Sequence, residues 1–139
     1  MTHPQVFVDT SALVALSHQG DSLHAAAASA ARELASAHHV RFVTTVHVLD
    51  ETLTLVRRRV HHRRAVELGS AILRSGLYDV VYPGAEATAQ AFALFREYAD
   101  VALSFTDCLS FVVMRALGLT HAFAFDEHFR LLGFQLVGG

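Results

Sequence analysis

The chain has 139 residues, which is the length of one domain of ordinary size. Hydrophobic residues make up 53% of it and charged residues only 17%, which predicts one sizeable core and argues against a disordered chain. All 11 basic residues are arginine, which excludes Schiff-base catalysis and phosphate binding through a P-loop lysine. Because the formal net charge is −2, a nucleic-acid partner would need a local basic patch.

Targeting and disulfide signals are missing from the sequence. The first residues, MTHPQVFVDT, lack the basic and apolar regions of a signal peptide, and no run approaches the ~18 apolar residues of a membrane span. Cys108 is the one cysteine, so there is neither a disulfide framework nor a CxxC zinc motif. We therefore expect a cytoplasmic protein.

Short apolar runs alternate with helical patterns along the chain. In the first half, the predicted elements are a strand over Val6–Val8, a helix over Ala12–Leu16 capped by Thr10 or Ser11, a helix from Ser22 to about His39, a strand over Arg41–Thr44, a helix from Thr45 to about Arg59, and a helix over His61–Ser75. In the second half, they are a strand over Asp79–Tyr82, helices over Ala85–Ala99 and Ser104–Leu117, a strand over His121–Phe125, and a last edge strand over Phe134–Val137. This alternation predicts an α/β fold on a parallel sheet, in which ligands bind at the carboxyl ends of the strands.

Acidic residues stand at the positions that such a sheet would bring together. They are Asp9 and Asp126 directly after the runs VFV and FAF, Asp107 at a helix start, and Glu51 in the helix after the second strand. Taken singly, each has a structural explanation: a turn or cap after a strand, a capping box with Ser104, or a solvated helix face. Taken together, carboxylates that converge on one edge repel one another unless they are protonated or share a cation. Hard oxygen ligands of this kind select Mg²⁺ or Mn²⁺.

The neighbouring Asp50 competes with Glu51 for the role of second acid. On a helical wheel, Glu51 lies beside Leu55 at the margin of the apolar arc, whereas Asp50 points away, near Arg57. The wheel therefore favours Glu51.

The motifs VFVDTSALVAL and SFTDCLSFVVMRALGLTHAFAFDEHF, with Glu51 between them, resemble those of a PIN domain. More narrowly, they resemble the VapC-type toxin ribonucleases of type II toxin–antitoxin pairs. The resemblance covers almost the whole chain, so one PIN domain over residues 1–139 is expected. It implies a three-layer α/β/α sandwich around a mostly parallel sheet of roughly four to five short strands. It also implies a Mg²⁺- or Mn²⁺-dependent endoribonuclease with an RNA substrate and a cognate antitoxin.

The same resemblance assigns roles to individual residues. The family's acidic positions carry over to Asp9, Glu51, Asp107 and Asp126. Asp9 and Asp107 would be the direct metal ligands, while Glu51 and Asp126 would act through waters or bind a second metal. Thr106 matches the family's hydroxyl residue before the third acid and is expected to order Asp126 or a water.

An arginine-rich segment, RRRVHHRR over residues 57–64, offers the local basic patch that RNA binding would need. Its alternative explanation is a set of favourable cations at a helix end. Near the first acid, a hydroxyl or backbone N–H could also meet a phosphate. The residues expected to contact RNA are Thr10, Ser11, Arg58, Arg59, Arg63 and Arg64.

Other functions stay open at this point. The chain could be a PIN nuclease of RNA processing that is not a toxin, or a non-catalytic protein-interaction module. Phosphoryl chemistry on a receiver-like or dehalogenase-like fold is disfavoured, because the chain lacks a lysine and a DxD start. A histidine metal site is also disfavoured, because no HExxH motif occurs. The low charged fraction favours a homodimer or another complex that hides surface.

Overall fold

The computed structural model describes residues 3–37 and 39–138, and a five-stranded parallel sheet lies at the centre of that part of the chain. Its strands are β1 Gln5–Val8, β2 Arg41–Thr45, β3 Tyr78–Val81, β4 His121–Phe123 and β5 Gln135–Val137. The flanking helices are α1 Thr10–Ser17, α2 His24–Ser36, α3 Val46–Arg59, α4 His62–Arg74, α5 Ala85–Glu97, α6 Phe105–Leu117 and α7 His128–Leu131. The predicted α/β fold, with helices packed on a parallel sheet, is confirmed.

The strand order β3-β2-β1-β4-β5 places β1 at the centre of the sheet. It pairs with β2 through Val6 opposite Phe42, and with β4 through Phe7 opposite Ala122. The chain winds outward to β2 and β3 on one side of β1 and to β4 and β5 on the other, so the topological switch point lies between β1 and β4. In open α/β sheets, the crevice beyond the carboxyl ends of such strands is where ligands bind.

The continuous apolar sequence of β1 predicts a strand that is buried on both faces, and Phe7 and Val8 have no exposed surface. The ring of Phe7 lies 6.3 Å from the ring of Phe129, which in turn lies 5.0 Å from the ring of Phe111. Burial of a side chain of this size stabilises the fold by roughly 1.5–3 kcal/mol. Phe129 therefore anchors the short helix α7 against the central strand.

Two helix ends follow the capping signals in the sequence. Thr45 caps α3, because its side chain accepts a hydrogen bond from the Val48 N–H. Ser104 caps α6, and Gly118 ends that helix with a φ of 70°, a left-handed conformation that glycine adopts without a steric penalty. Within the described residues, no helix has both the length and the apolar character needed to cross a membrane.

The first helix starts earlier than predicted. The predicted cap is Thr10 or Ser11, but the observed cap is Asp9, which agrees with its structural explanation as a turn or cap residue after a strand. Its carboxylate accepts from the Ser11 N–H, so α1 begins at Thr10. A strand-end residue of predicted chemical importance therefore also serves as a helix cap.

The second helix starts later than predicted, because Ser22 is not its cap. The Asp21 carboxylate instead accepts from the Leu23 N–H in a turn, and α2 begins at His24 and ends at Ser36. Residue 38, inside the predicted helix, lies outside the described residues.

The fourth strand is shorter than predicted and is followed by a helix that was not predicted. β4 ends at Phe123, because the Phe125 N–H leaves the sheet and donates to the Ser11 hydroxyl at 2.9 Å. The chain then turns into α7 over His128–Leu131. This early departure from the sheet directs the segment that carries Asp126 toward α1.

Candidate active site

Five carboxylates line a cleft of about 400 Å³ at the carboxyl ends of β1 and β4: Asp21, in the turn before α2, and the four acids that the sequence predicts. The four predicted acids are Asp9 between β1 and α1, Glu51 in α3, Asp107 in α6 and Asp126 between β4 and α7. A larger cavity, of about 680 Å³, lies at the amino ends of the same strands beside Gln5 and His121, and none of its lining residues is acidic. The acidic residues that the sequence places far apart are therefore brought to one edge of the sheet.

Asp9 is a buried carboxylate with only 3% of its surface exposed. Its Oδ2 atom accepts a hydrogen bond of 2.7 Å from the Ser11 hydroxyl and one of 3.2 Å from the Ser11 N–H. Burial raises the pKa of Asp9 from 3.8 to about 6, because the charged form loses its hydration. The hydrogen bonds from Ser11 oppose this increase, and the charges of Asp107 and Asp126 add to it.

Asp107 lies in the first turn of α6 and belongs to a capping box. Its Oδ2 accepts from the Ser104 N–H at 3.1 Å, and its own N–H donates to the Ser104 hydroxyl at 2.9 Å. Burial raises the pKa of Asp107, the Ser104 N–H opposes this, and the charges of Asp126 and Glu51 raise it further. The capping role and a place in the acidic cleft are therefore compatible.

Asp126 is half-buried in the loop that follows β4. Its Oδ1 accepts from the His128 N–H at 2.9 Å. The Nδ1 atom of the same histidine lies 3.1 Å from Asp126 Oδ1 and 3.9 Å from Asp107 Oδ2. The imidazole of His128 thus stands between two of the four acids.

His128 is the site residue that sequence reasoning missed. One ligand atom from each of Asp107, Asp126 and His128 lies within 4.8 Å of the others, the only such group of three among the described residues. Asp9 and Glu51 line the same cleft but do not belong to this group. The signal was present in the motif FDEHF, where a residue type that commonly binds metals follows a strand-end acid by two positions.

The structure distinguishes Glu51 from its neighbour Asp50. Glu51 is half-buried and lines the cleft together with Leu55, beside which the helical wheel places it. Asp50 is exposed and is not among the lining residues. Asp50 therefore offers a matched control for any test of Glu51.

The three hydroxyl residues have different surroundings. Thr10 lines the cleft, and its buried Oγ1 has no hydrogen-bond partner. Both donors of Ser11 point to Asp9, so Ser11 braces that acid and leaves no donor for a phosphate. Thr106 is half-buried and not among the lining residues, and its carbonyl accepts from Ser110.

The four arginines expected to bind RNA fall into two groups. Arg58, Arg59 and Arg63 are exposed, and Arg59 also lines the acidic cleft. We refer to these three as the arginine track. Arg64 is half-buried, donates through Nε to the Ser17 carbonyl at 3.1 Å, and has Nη1 3.5 Å from Glu67. It therefore has a structural role that the other three lack.

The donor set of the cleft fits a divalent cation. Two of its carboxylates, Asp9 and Asp107, have raised pKa values, in part because other acids lie close to them. The buried Nδ1 of His128 makes no aligned hydrogen bond, although it lies near two carboxylates. A cation bound among these groups would relieve the repulsion between the carboxylates, and the imidazole nitrogen could serve as one of its ligands.

Comparison with known sequences gives a consistent assignment. The family model of the PIN domain matches residues 6–135. The 23S rRNA-specific endonuclease VapC20 of Mycobacterium tuberculosis, found in two strains, is 38% identical over 129 residues, which cover 93% of this chain and 95% of that protein.

Solved structures share the fold. The crystal structure of M. tuberculosis VapC20, described as a sarcin-ricin loop cleaving toxin, superposes with a TM-score of 0.83 at 37% identity, covering 93% of this chain and 95% of that one. VapBC2 from Rickettsia felis, bound to a DNA fragment from its promoter, superposes with a TM-score of 0.70 at 14% identity, covering 95% and 96%. The second likeness concerns the fold alone. Together with the family match over most of the chain, these findings show that the protein belongs to the PIN domain family.

Proposed function

We propose that the protein is a divalent-metal-dependent endoribonuclease that acts as the toxin of a toxin–antitoxin pair, with residues 1–139 as one PIN domain. The observation that carries the proposal is the convergence of Asp9, Glu51, Asp107 and Asp126 on one cleft. The relative VapC20, 38% identical, is named for cleaving 23S rRNA and for the sarcin-ricin loop. An rRNA hairpin of that kind is therefore the first substrate to test.

The four acids would divide the chemistry between them. Asp9, Asp107 and Asp126 would hold the ion, for which Mg²⁺ and Mn²⁺ are the expected choices. When bound, it supplies positive charge that polarises the scissile phosphate. Glu51, from the opposite helix α3, would accept a hydrogen bond from the attacking water and orient it in line with the leaving oxygen.

Two serines would hold the acids in place rather than take part in the reaction. Ser11 donates twice to Asp9 and also accepts from the Phe125 N–H, so it joins the segments that carry Asp9 and Asp126. Ser104 fixes the Asp107 carboxylate through the capping box. Such fixed carboxylates bind a cation with little reorganisation.

The arginine track would bind the RNA backbone on the approach to the cleft. Arg59 lines the cleft, and Arg58 and Arg63 lie near it in sequence and are exposed. Three exposed guanidinium groups can neutralise phosphates without a structural cost to the protein. Thr10, whose buried hydroxyl lacks a partner, would meet the substrate or a bound water inside the cleft.

A nuclease assay tests the central claim. An RNA hairpin with the sarcin-ricin loop sequence is incubated with the protein in Mg²⁺, in Mn²⁺ and in EDTA. Cleavage is expected with either metal and not in EDTA, and Asp107→Asn should abolish it. Cleavage that persists in EDTA, or in Asp107→Asn, would overturn the assignment of the site.

A growth assay distinguishes a toxin from an RNA-processing enzyme. Induction of the protein should arrest growth, and co-expression of an antitoxin encoded next to it should restore growth. Asp107→Ala should not arrest growth. Active nuclease that leaves growth unchanged would favour the RNA-processing alternative, and absence of cleavage with intact folding would favour the interaction module.

A further inference from the structure

The imidazole of His128 occupies a position where a metal ligand would be expected. Its Nδ1 lies 3.1 Å from Asp126 Oδ1 and 3.9 Å from Asp107 Oδ2, and one ligand atom of each residue lies within 4.8 Å of the others. Three donors at such separations can bind one ion with small side-chain rotations, since metal–ligand distances are about 2.0–2.2 Å.

The ring is placed by the backbone rather than by its own hydrogen bonds. The His128 N–H donates to Asp126 Oδ1, and the His128 carbonyl accepts from the Leu132 N–H. The next residue, Phe129, is fully buried against Phe7 and Phe111 and anchors α7. Nδ1 itself is shielded from solvent and makes no aligned hydrogen bond. The nitrogen thus faces the carboxylates of Asp126 and Asp107 without an aligned hydrogen bond to either, so it is free to bind a cation beside them.

We propose that His128 is a nitrogen ligand of the catalytic metal, which it binds through Nδ1 beside Asp107 and Asp126. This inference rests on the proposed nuclease function and adds to it the identity of the ion. An imidazole nitrogen suits Mn²⁺ better than Mg²⁺, which strongly prefers oxygen. The site therefore selects Mn²⁺ over Mg²⁺, although the acids alone would accept either.

Electron spin-echo envelope modulation of bound Mn²⁺ tests the nitrogen ligand directly, because it detects ¹⁴N bound to the ion. The wild-type protein should show this coupling, and His128→Gln should lose it while the carboxylates still bind Mn²⁺. His3→Gln is the matched control, since His3 is exposed and lines the cavity at the other end of the sheet. It should keep the coupling.

Affinity gives a second readout. Titration with Mn²⁺ and Mg²⁺ should show a preference for Mn²⁺ in the wild type that falls at least roughly tenfold in His128→Gln. His128→Asp, which supplies oxygen in place of nitrogen, should retain metal binding, lose the ¹⁴N signal and shift the preference toward Mg²⁺. It also keeps the test informative if the glutamine variant folds poorly.

The outcomes separate this inference from the proposed function. Bound Mn²⁺ without ¹⁴N coupling in the wild type, together with metal-dependent RNA cleavage, would overturn the role of His128 and leave the nuclease proposal intact. In that case His128 would serve only to position Asp126. No measurable Mn²⁺ binding by folded wild-type protein, together with no cleavage, would overturn both.

Discussion

Replacement of Asp9 by asparagine is expected to stabilise the metal-free protein at neutral pH while it removes activity. Burial raises the pKa of Asp9 from 3.8 to about 6, a difference of roughly two pKa units. At about 1.4 kcal/mol per unit, the ionised side chain destabilises the fold by up to roughly 3 kcal/mol above pH 6. Asparagine has nearly the same shape, cannot ionise and can still accept from Ser11, although more weakly than a carboxylate.

The same two pKa values determine how the free energy of unfolding changes with pH. Because burial raises the pKa of Asp9 in the folded state, folding favours the protonated side chain. The contribution of this group to the free energy of unfolding is therefore complete below about pH 3.8 and is lost as the pH rises through about 6. In EDTA, Asp9→Asn should therefore exceed the wild type in free energy of unfolding by about 1–3 kcal/mol at pH 7.5, and the difference should vanish near pH 4. Urea denaturation at pH 4, 5, 6 and 7.5 measures this difference.

Asp79→Asn is a control that should respond in the opposite direction. The Arg41 guanidinium, 2.6 Å away, lowers the pKa of Asp79, so this acid stabilises the fold at neutral pH and loses its contribution as the pH falls. At pH 7.5, Asp79→Asn should lower the free energy of unfolding only slightly, because the side chains of Arg41 and Asp79 are both more than a third exposed. If Asp9→Asn instead destabilised the protein equally at pH 4 and pH 7.5, the argument from burial of the charge would be wrong.

Three further predictions concern activity and RNA binding. Glu51→Gln should lower the single-turnover rate of hairpin cleavage at least about a hundredfold, as expected for a residue that orients water, whereas Asp50→Asn should leave it unchanged; equal effects would contradict the roles assigned to them. Ser11→Ala removes a hydrogen bond that holds down the pKa of Asp9, so the acidic limb of the pH–rate profile should move to higher pH; an unmoved limb would argue against Asp9 as the titrating acid. Replacement of the whole arginine track by glutamine should reduce the slope of log binding constant against log salt by roughly 2 for single-stranded RNA, measured by fluorescence anisotropy. The charge-matched control replaces three exposed arginines elsewhere, Arg32, Arg74 and Arg96, and an equal loss in both variants would mean that binding responds to net charge alone.

Much of this arrangement could be predicted from local sequence. The run VFVD predicts a buried strand that ends in an acid, because a parallel strand covered on both faces needs a continuous apolar sequence. The wheel that separates Glu51 from Asp50 works because α3 is long enough for its periodicity to define a buried face. The pairing of Ser104 with Asp107 is also a local signal, since a capping box spans only four residues.

The parts that were missed depend on contacts between distant residues. β4 stops short because of a hydrogen bond between Ser11 and Phe125, which are 114 positions apart. α7 has only four residues, too few for a helical period to be recognised, so His128 was not placed on a structured element. The start of α1 was misjudged because Asp9 serves both as an acid of the cleft and as a cap.

The position of β4 beside the central strand has a consequence for the order of events during synthesis. β1 is made first, but its partner β4, together with Asp126 and His128, is made only after helices α1 to α6 and strands β2 and β3. A nascent chain that lacks these residues has only β2 beside β1 and lacks two of the groups that converge on Asp107. The acidic cleft is therefore complete only after the four strands β1 to β4 and the six helices between them have been synthesised.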